Sequence, residues 1–268
     1  MRLLLVFVVA LPLLAQQGLN FYSVEKEHAL GQHLASEIKQ QSRPLDSAVA
    51  DEYVQRLGGH LVAHLDERLF PYSFEVIATT ARTEPMALPG GYVLIPARFF
   101  LAVEDEDEFA GVLAHSLGHI ALRQATRIAT RGEVANIASI PILYVGGWMG
   151  SHTDSQRPGI SQPLAFLQFR RAFELEADAF GLELAARAGY PAAALRRYIE
   201  RTQTASSRFS SPLPARDLRL ARMEDLPQTR PGVPFYSPEE FQQIREMMRD
   251  AVGPLEQAQQ RPAPTLRR

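Results

Sequence analysis

The chain has 268 residues, 46% hydrophobic and 22% charged, enough apolar side chains for one sizeable globular core. A net charge of −2 argues against a general nucleic-acid surface, so no nucleic-acid partner is expected. The absence of cysteine excludes disulfides, thiolate metal sites and cysteine nucleophiles.

Residues 1–15 read as a signal peptide. Arg2 supplies the positive start, residues 3–14 an apolar run, and Ala15 a small residue before the cut. The run is shorter than the roughly 20 residues of a membrane span, although an uncleaved anchor is the alternative. Cleavage would place the mature chain outside the cytoplasm, in a bacterial periplasm. Helical spacing of Val24, Leu30, Leu34 and Ile38 predicts a helix over 24–40, with Ser23 as N-cap. A second helix is expected over 47–65, with Val49, Tyr53, Leu57 and Leu61 on one side and Gly58-Gly59 weakening its middle. Residues 72–79 read as a strand, 88–91 as a turn and 92–95 as a second strand.

The acids at 104–108 suit the positive end of a helix dipole and open a long helix expected to reach about Thr130. The apolar, glycine-rich stretch over 137–150 reads as a buried helix and loop. A mobile lid, or peripheral membrane contact between Val134 and Gly150, is the alternative. A polar loop (151–161) precedes a long helix over 164–187, stopped by Gly189-Tyr190-Pro191. A helix over 192–204 follows, then a proline-marked turn over 210–214 and a short helix to Glu224. Ser237-Pro238-Glu239-Glu240 is a capping box opening a helix that Gly253-Pro254 should end at about Val252. The expected organisation is a main domain over 16–226, a helical extension over 227–254 and a disordered polar tail over 255–268.

The chemistry centres on His115-Ser116-Leu117-Gly118-His119. Histidines four apart on a helix share a face, where one zinc ion can take both. In zinc peptidases with this spacing a glutamate follows the first histidine and takes the proton of the metal-bound water; here Ser116 stands there. A catalytic zinc needs a third protein ligand. Glu174, in Phe173-Glu174-Leu175-Glu176-Ala177-Asp178, is the best candidate. Asp178 shares its helix face, so one can bind metal while the other fixes an imidazole N–H; Glu176 points about 160° away. A second pair, His60 and His64, has the same spacing but no acidic helix partner and reads as a surface pair.

The segments Ala87-Leu88-Pro89-Gly90-Gly91-Tyr92, Glu108 through His115, Gly118-His119 and Glu174 through Gly181 closely resemble one family. It is the gluzincin zinc metallopeptidase family of the CAAX prenyl protease, the heat-shock membrane protease and the periplasmic outer-membrane-assembly protease. The likeness runs from about Asn20 to Glu224, and Asn20 through Glu27 resembles the soluble periplasmic branch. The resemblance implies an α+β, mainly helical gluzincin domain with a small mixed β-sheet and two long metal-bearing helices packed face to face. It implies that His115, His119 and Glu174 bind one Zn²⁺, that Asp178 stands behind a ligand, and that Arg171 steadies the site. It also implies a sheet edge at Gly90, Gly91, Tyr92 and Val93, running on to Ile95, where a peptide or unfolded protein would lie as an added strand.

Three positions depart from the family pattern: Ser116 for the catalytic glutamate, Gln124 for a histidine, and Ser211 before Pro212 for the histidine of a His-Pro pair. A serine hydroxyl is a poor base, and losing general acid–base catalysis slows a reaction by about 10²–10⁴, roughly 3–5 kcal/mol of barrier. The expected function is therefore a secreted zinc metalloendopeptidase homologue with impaired hydrolysis. One alternative is a pseudoprotease, a zinc-stabilised protein-binding module of envelope quality control. Another is a peptidase whose base comes from a lid or a partner.

Overall fold

A computed structural model of the chain describes residues 20–42, 45, 47–79, 82–134, 164–204, 213–224 and 238–260. The expected signal peptide, the apolar stretch over 137–150, the loop over 151–161, Ser211-Pro212, Ser237 and the tail beyond 260 lie outside these residues. The architecture is α+β and mainly helical, with a three-stranded sheet.

Helix α1 (Val24–Gln41) begins where Ser23 accepts a hydrogen bond from the Lys26 amide. Its apolar stripe of Leu30, Leu34, Ala35 and Ile38 packs on Ile77, Met86, Leu88 and Leu94 of the sheet. Helix α2 (Ala48–Ala63), capped by Ser47, runs unbroken through Gly58 and Gly59 and buries Tyr53, Val54, Leu57 and Leu61.

The sheet comprises β1 (Ser73–Ile77), β2 (Met86–Leu88) and β3 (Tyr92–Pro96) in the order β1-β3-β2. β1 runs parallel to β3, with Ser73 opposite Tyr92, and β2 antiparallel to it, with Leu88 opposite Tyr92. A 3₁₀ turn over Pro89–Gly91 joins β2 to β3, with Gly90 at φ 74° and Gly91 at φ 100°, values that only glycine adopts freely. This topology corrects the expected substrate edge. Gly90 and Gly91 form the buried turn, and Tyr92 and Val93 belong to the central strand, whose ladder is occupied on both sides. The unbroken apolar run Val93-Leu94-Ile95 is what a strand buried on both faces requires. Among the described residues β1 and β2, rather than β3, each have an unpaired side.

After a single turn α3 (Phe99–Ala102), helix α4 (Glu106–Ala121) starts on the Asp105 carboxylate, which accepts from the Glu108 amide. The helix expected to reach Thr130 instead breaks at Arg123, the one described non-glycine residue with a positive φ (51°), and resumes as α5 (Gln124–Val134). Arg123 is held there by Glu27 Oε2 at 2.8 Å and the Tyr22 carbonyl at 2.6 Å, contacts from about a hundred residues away. Helix α6 (Leu164–Arg187) ends at Gly189 (φ 94°), as expected. It is followed by α7 (Ala193–Thr202), α8 (Arg216–Glu224) and α9 (Pro238–Gln260). Helix α9 continues through Pro254, which removes one backbone donor without ending it, so the predicted stop at Val252 does not occur. Its residues Phe241, Ile244, Met248 and Val252 join the core that also holds Tyr53, Phe99, Phe100 and Phe109. The rings of Phe100 and Phe109 lie 4.7 Å apart, and Phe241 packs on Tyr53 at 6.2 Å. No described helix is long and apolar enough to cross a membrane.

Candidate metal centre

Among the described elements, helices α4 and α6 lie against each other more extensively than any other pair. Their approach depends on Gly181, where a Cβ would stand 2.6 Å from His115 Cα and 2.7 Å from its backbone nitrogen. Glu174 and Asp178 lie on α6 two turns and one turn before this contact, so the crossing delivers both carboxylates to the histidine face of α4. Helix α4 is buried from Glu108 to Ile120, and the side chains of His115 and His119 are 1% and 4% exposed.

Nε2 of His115 and Nε2 of His119 are 3.1 Å apart. Glu174 Oε2 is 3.6 Å from His115 Nε2, and Oε1 is 3.9 Å from His119 Nε2. The opposite nitrogens are both engaged. His119 Nδ1 meets Gln124 Oε1 at 2.6 Å, and His115 Nδ1 lies 2.9 Å from Asp178 Oδ1. Those acceptors draw each ring proton to Nδ1 and leave a bare lone pair on each Nε2. Two lone pairs facing at this distance repel unless a cation lies between them. Glu174 Oε2 is likewise buried and accepts no hydrogen bond among the described residues. One ligand atom from each of the three residues falls within 4.8 Å of the others. Tetrahedral zinc with bonds of about 2.0–2.2 Å sets its ligands about 3.3–3.6 Å apart, so the donor set and spacing fit one zinc ion.

The surrounding groups hold the ligands in their metal-binding form. Burial pushes His119 down to about 4, outweighing the opposite pull of Glu174, and keeps the ring neutral. Burial by itself would raise Asp178, but the charge and hydrogen bonds of Arg219, with His115, hold it at about 2. Arg219 is fully buried and donates to both Asp178 oxygens, from Nε at 2.7 Å and Nη2 at 2.5 Å. Gln124 also donates to the Phe173 carbonyl at 3.1 Å and to Glu176 at 3.3 Å, tying the His119 acceptor to α6.

Ser116 is buried, and its hydroxyl donates to the Val112 carbonyl at 3.0 Å, one turn back in its own helix. Arg171 lies half-buried on α6, one turn before Glu174. Glu176 turns away from the metal ligands to bond Arg127 at 3.1 Å, as its angular position predicts. His60 and His64 each meet a backbone carbonyl, of Ala188 and of His60, both at 2.9 Å. Sequence reasoning missed Arg219 and the orienting role of Gln124. Nothing in the spacing of Arg216, Arg219 and Arg222 sets the middle one apart, because its burial depends on α8 packing against α6.

The model of Peptidase family M48 matches residues 48–229 of the chain. A beta-barrel assembly-enhancing protease of Escherichia coli K12 is 24% identical over 219 residues, covering 78% of this chain and 43% of that protein. One from Yersinia pestis is 23% identical over 203 residues, covering 71% and 40%. A Vibrio cholerae protein described as a putative beta-barrel assembly-enhancing protease is 26% identical over 200 residues, covering 72% and 41%. The chain thus spans about two fifths of the length of these relatives.

Proposed function

Since the chain belongs to Peptidase family M48, we propose that it is a secreted zinc metalloendopeptidase homologue of the bacterial periplasm acting on peptides or unfolded proteins. The observation that carries this reading is the facing pair of imidazole Nε2 atoms, 3.1 Å apart, beside the buried carboxylate of Glu174. His115, His119 and Glu174 would hold the ion, and Asp178 and Gln124 would orient the two rings. Zinc bound there supplies an acidified water and a Lewis acid for a peptide carbonyl. The unpaired side of β2, which packs along α4, offers backbone groups to an extended peptide. That the relatives are described as beta-barrel assembly-enhancing proteases supports an envelope role.

Ser116 is no substitute for a carboxylate base, because its hydroxyl is turned to the backbone of its own helix. That observation favours a second reading, in which the site is a zinc-stabilised binding module of envelope quality control and hydrolysis is lost. Zinc content and cleavage of denatured casein by the wild type, His119→Ala and Ser116→Glu separate the two. Chelator-sensitive cleavage by the wild type, lost in His119→Ala, supports the peptidase. Cleavage by Ser116→Glu alone supports the binding module. A wild type that takes up no zinc sinks both.

A further inference from the structure

His119 and Gln124 are five residues apart, so an unbroken α-helix would set their side chains about 140° from each other. Yet Gln124 Oε1 meets His119 Nδ1 at 2.6 Å. The left-handed turn at Arg123 (φ 51°) accounts for this, because it ends α4 and restarts the chain in a new direction with Gln124 as the first residue of α5. A side chain with a Cβ pays for that conformation by crowding a backbone oxygen, so neighbouring groups must hold it. The groups that do so come from the N-terminal segment. Glu27 of α1, fully buried, accepts from Arg123 Nε at 2.8 Å, and the Tyr22 carbonyl accepts from Nη2 at 2.6 Å. The same segment is tied along α5. The Thr126 hydroxyl donates to Glu27 Oε2 at 2.9 Å and accepts from Asn20 Nδ2 at 2.9 Å, and the Phe21 amide donates to Thr130 Oγ1 at 2.9 Å.

Resting on the zinc-site reading, we propose that residues 20–27 form a strap that positions His119 for the metal. Glu27 and Tyr22 fix the turn at Arg123, the turn brings Gln124 to His119, and Gln124 keeps the ring proton on Nδ1 with Nε2 facing the ion. Glu27 and Arg123 are positioning residues that act through Gln124. Linkage makes the coupling mutual: if the docked strap tightens zinc binding, zinc tightens the docking of the strap by the same factor.

The test uses the full chain. It measures zinc affinity by chelator competition, the visible spectrum of the Co²⁺-substituted protein, and hydrogen exchange at the Phe21 amide. Glu27→Gln removes the buried charge, so that Arg123 can be replaced without leaving a carboxylate unpaired. In that background Arg123→Ala should bind zinc about 10–100-fold more weakly than the wild type and shift the Co²⁺ bands. Arg123→Gly in the same background adopts φ 51° without strain and should recover most of the affinity and the wild-type spectrum. Glycine no better than alanine, or both equal to the wild type, overturns the proposal. In the wild type, saturating zinc should slow exchange of the Phe21 amide, which opens when the strap undocks; this measurement carries the test if the Arg123 variants do not fold. An exchange rate unmoved by zinc overturns the proposal and leaves the metal centre standing. A wild type that takes up neither Zn²⁺ nor Co²⁺ removes the metal centre itself, and the strap's role with it.

Discussion

Arg219 closes on Asp178 with two hydrogen bonds, of 2.7 and 2.5 Å, in a place where neither side chain meets water. Asp178 in turn lies 2.9 Å from His115 Nδ1. A buried charge with its partner removed is costly, because desolvation has already been incurred and nothing offsets it. Arg219→Met should therefore destabilise the fold by about 3–5 kcal/mol in denaturant unfolding, and Asp178→Asn by a similar amount. Asp178→Asn should also weaken zinc binding about 10–100-fold in competition with a chromophoric chelator. Unchanged zinc affinity in that variant would show that Asp178 does not orient His115.

Gln124 presents Oε1 to His119 Nδ1 and fixes the donor side of that ring. Gln124→Leu keeps most of the volume and removes the acceptor. Zinc affinity should fall about 10–100-fold, with the helix content by circular dichroism unchanged. Full zinc affinity in Gln124→Leu would assign the orientation of His119 to packing alone.

Gly181 is the contact point of the two metal-bearing helices. Gly181→Ala places a methyl group 2.6 Å from His115 Cα, a contact that backbone cannot absorb without a shift. Overpacking of this kind costs about 1–3 kcal/mol. Moving α6 outward also withdraws Glu174, so Gly181→Ala should lose zinc affinity as well as stability, whereas Gly59→Ala, with open space at its Cβ, should lose neither.

The raised Glu84 carboxyl has a sign that thermal unfolding can read. Burial lifts it above its unfolded value, against the Tyr198 hydrogen bond and Arg219. The fold therefore favours the protonated form. Its stabilising contribution is present below the unfolded pKa of about 4.3 and is lost as pH rises toward the folded value. Glu84→Gln removes that loss, so its Tm should match the wild type near pH 4 and exceed it increasingly toward pH 8. Parallel Tm curves would rule out a carboxyl perturbed in the fold.

Zinc should stabilise the folded chain in proportion to its occupancy. At a free concentration of 100 times Kd the gain is about 2.7 kcal/mol, and EDTA should remove it. His119→Ala should show a Tm insensitive to EDTA. An EDTA-sensitive His119→Ala variant would place the stabilising ion elsewhere.

What is local to one helix was legible in the order of the residues. Four-residue spacing placed His115 with His119 and Glu174 with Asp178 on shared faces, and it sent Glu176 the other way, because a helix converts spacing into direction without help from the rest of the chain. Tertiary structure decided what depends on contacts between distant segments. Which strands lie at the edges of the sheet follows from pairing of β1 with β3 across the intervening chain, and the break at Arg123 follows from Glu27 and Tyr22 reaching it from about a hundred residues away. The burial of Arg219 behind Asp178 and the arrival of Glu84 beneath Tyr198 are of the same kind. None of these leaves a periodic trace, since each is selected by the packing energy of the whole core rather than by the preference of any one segment.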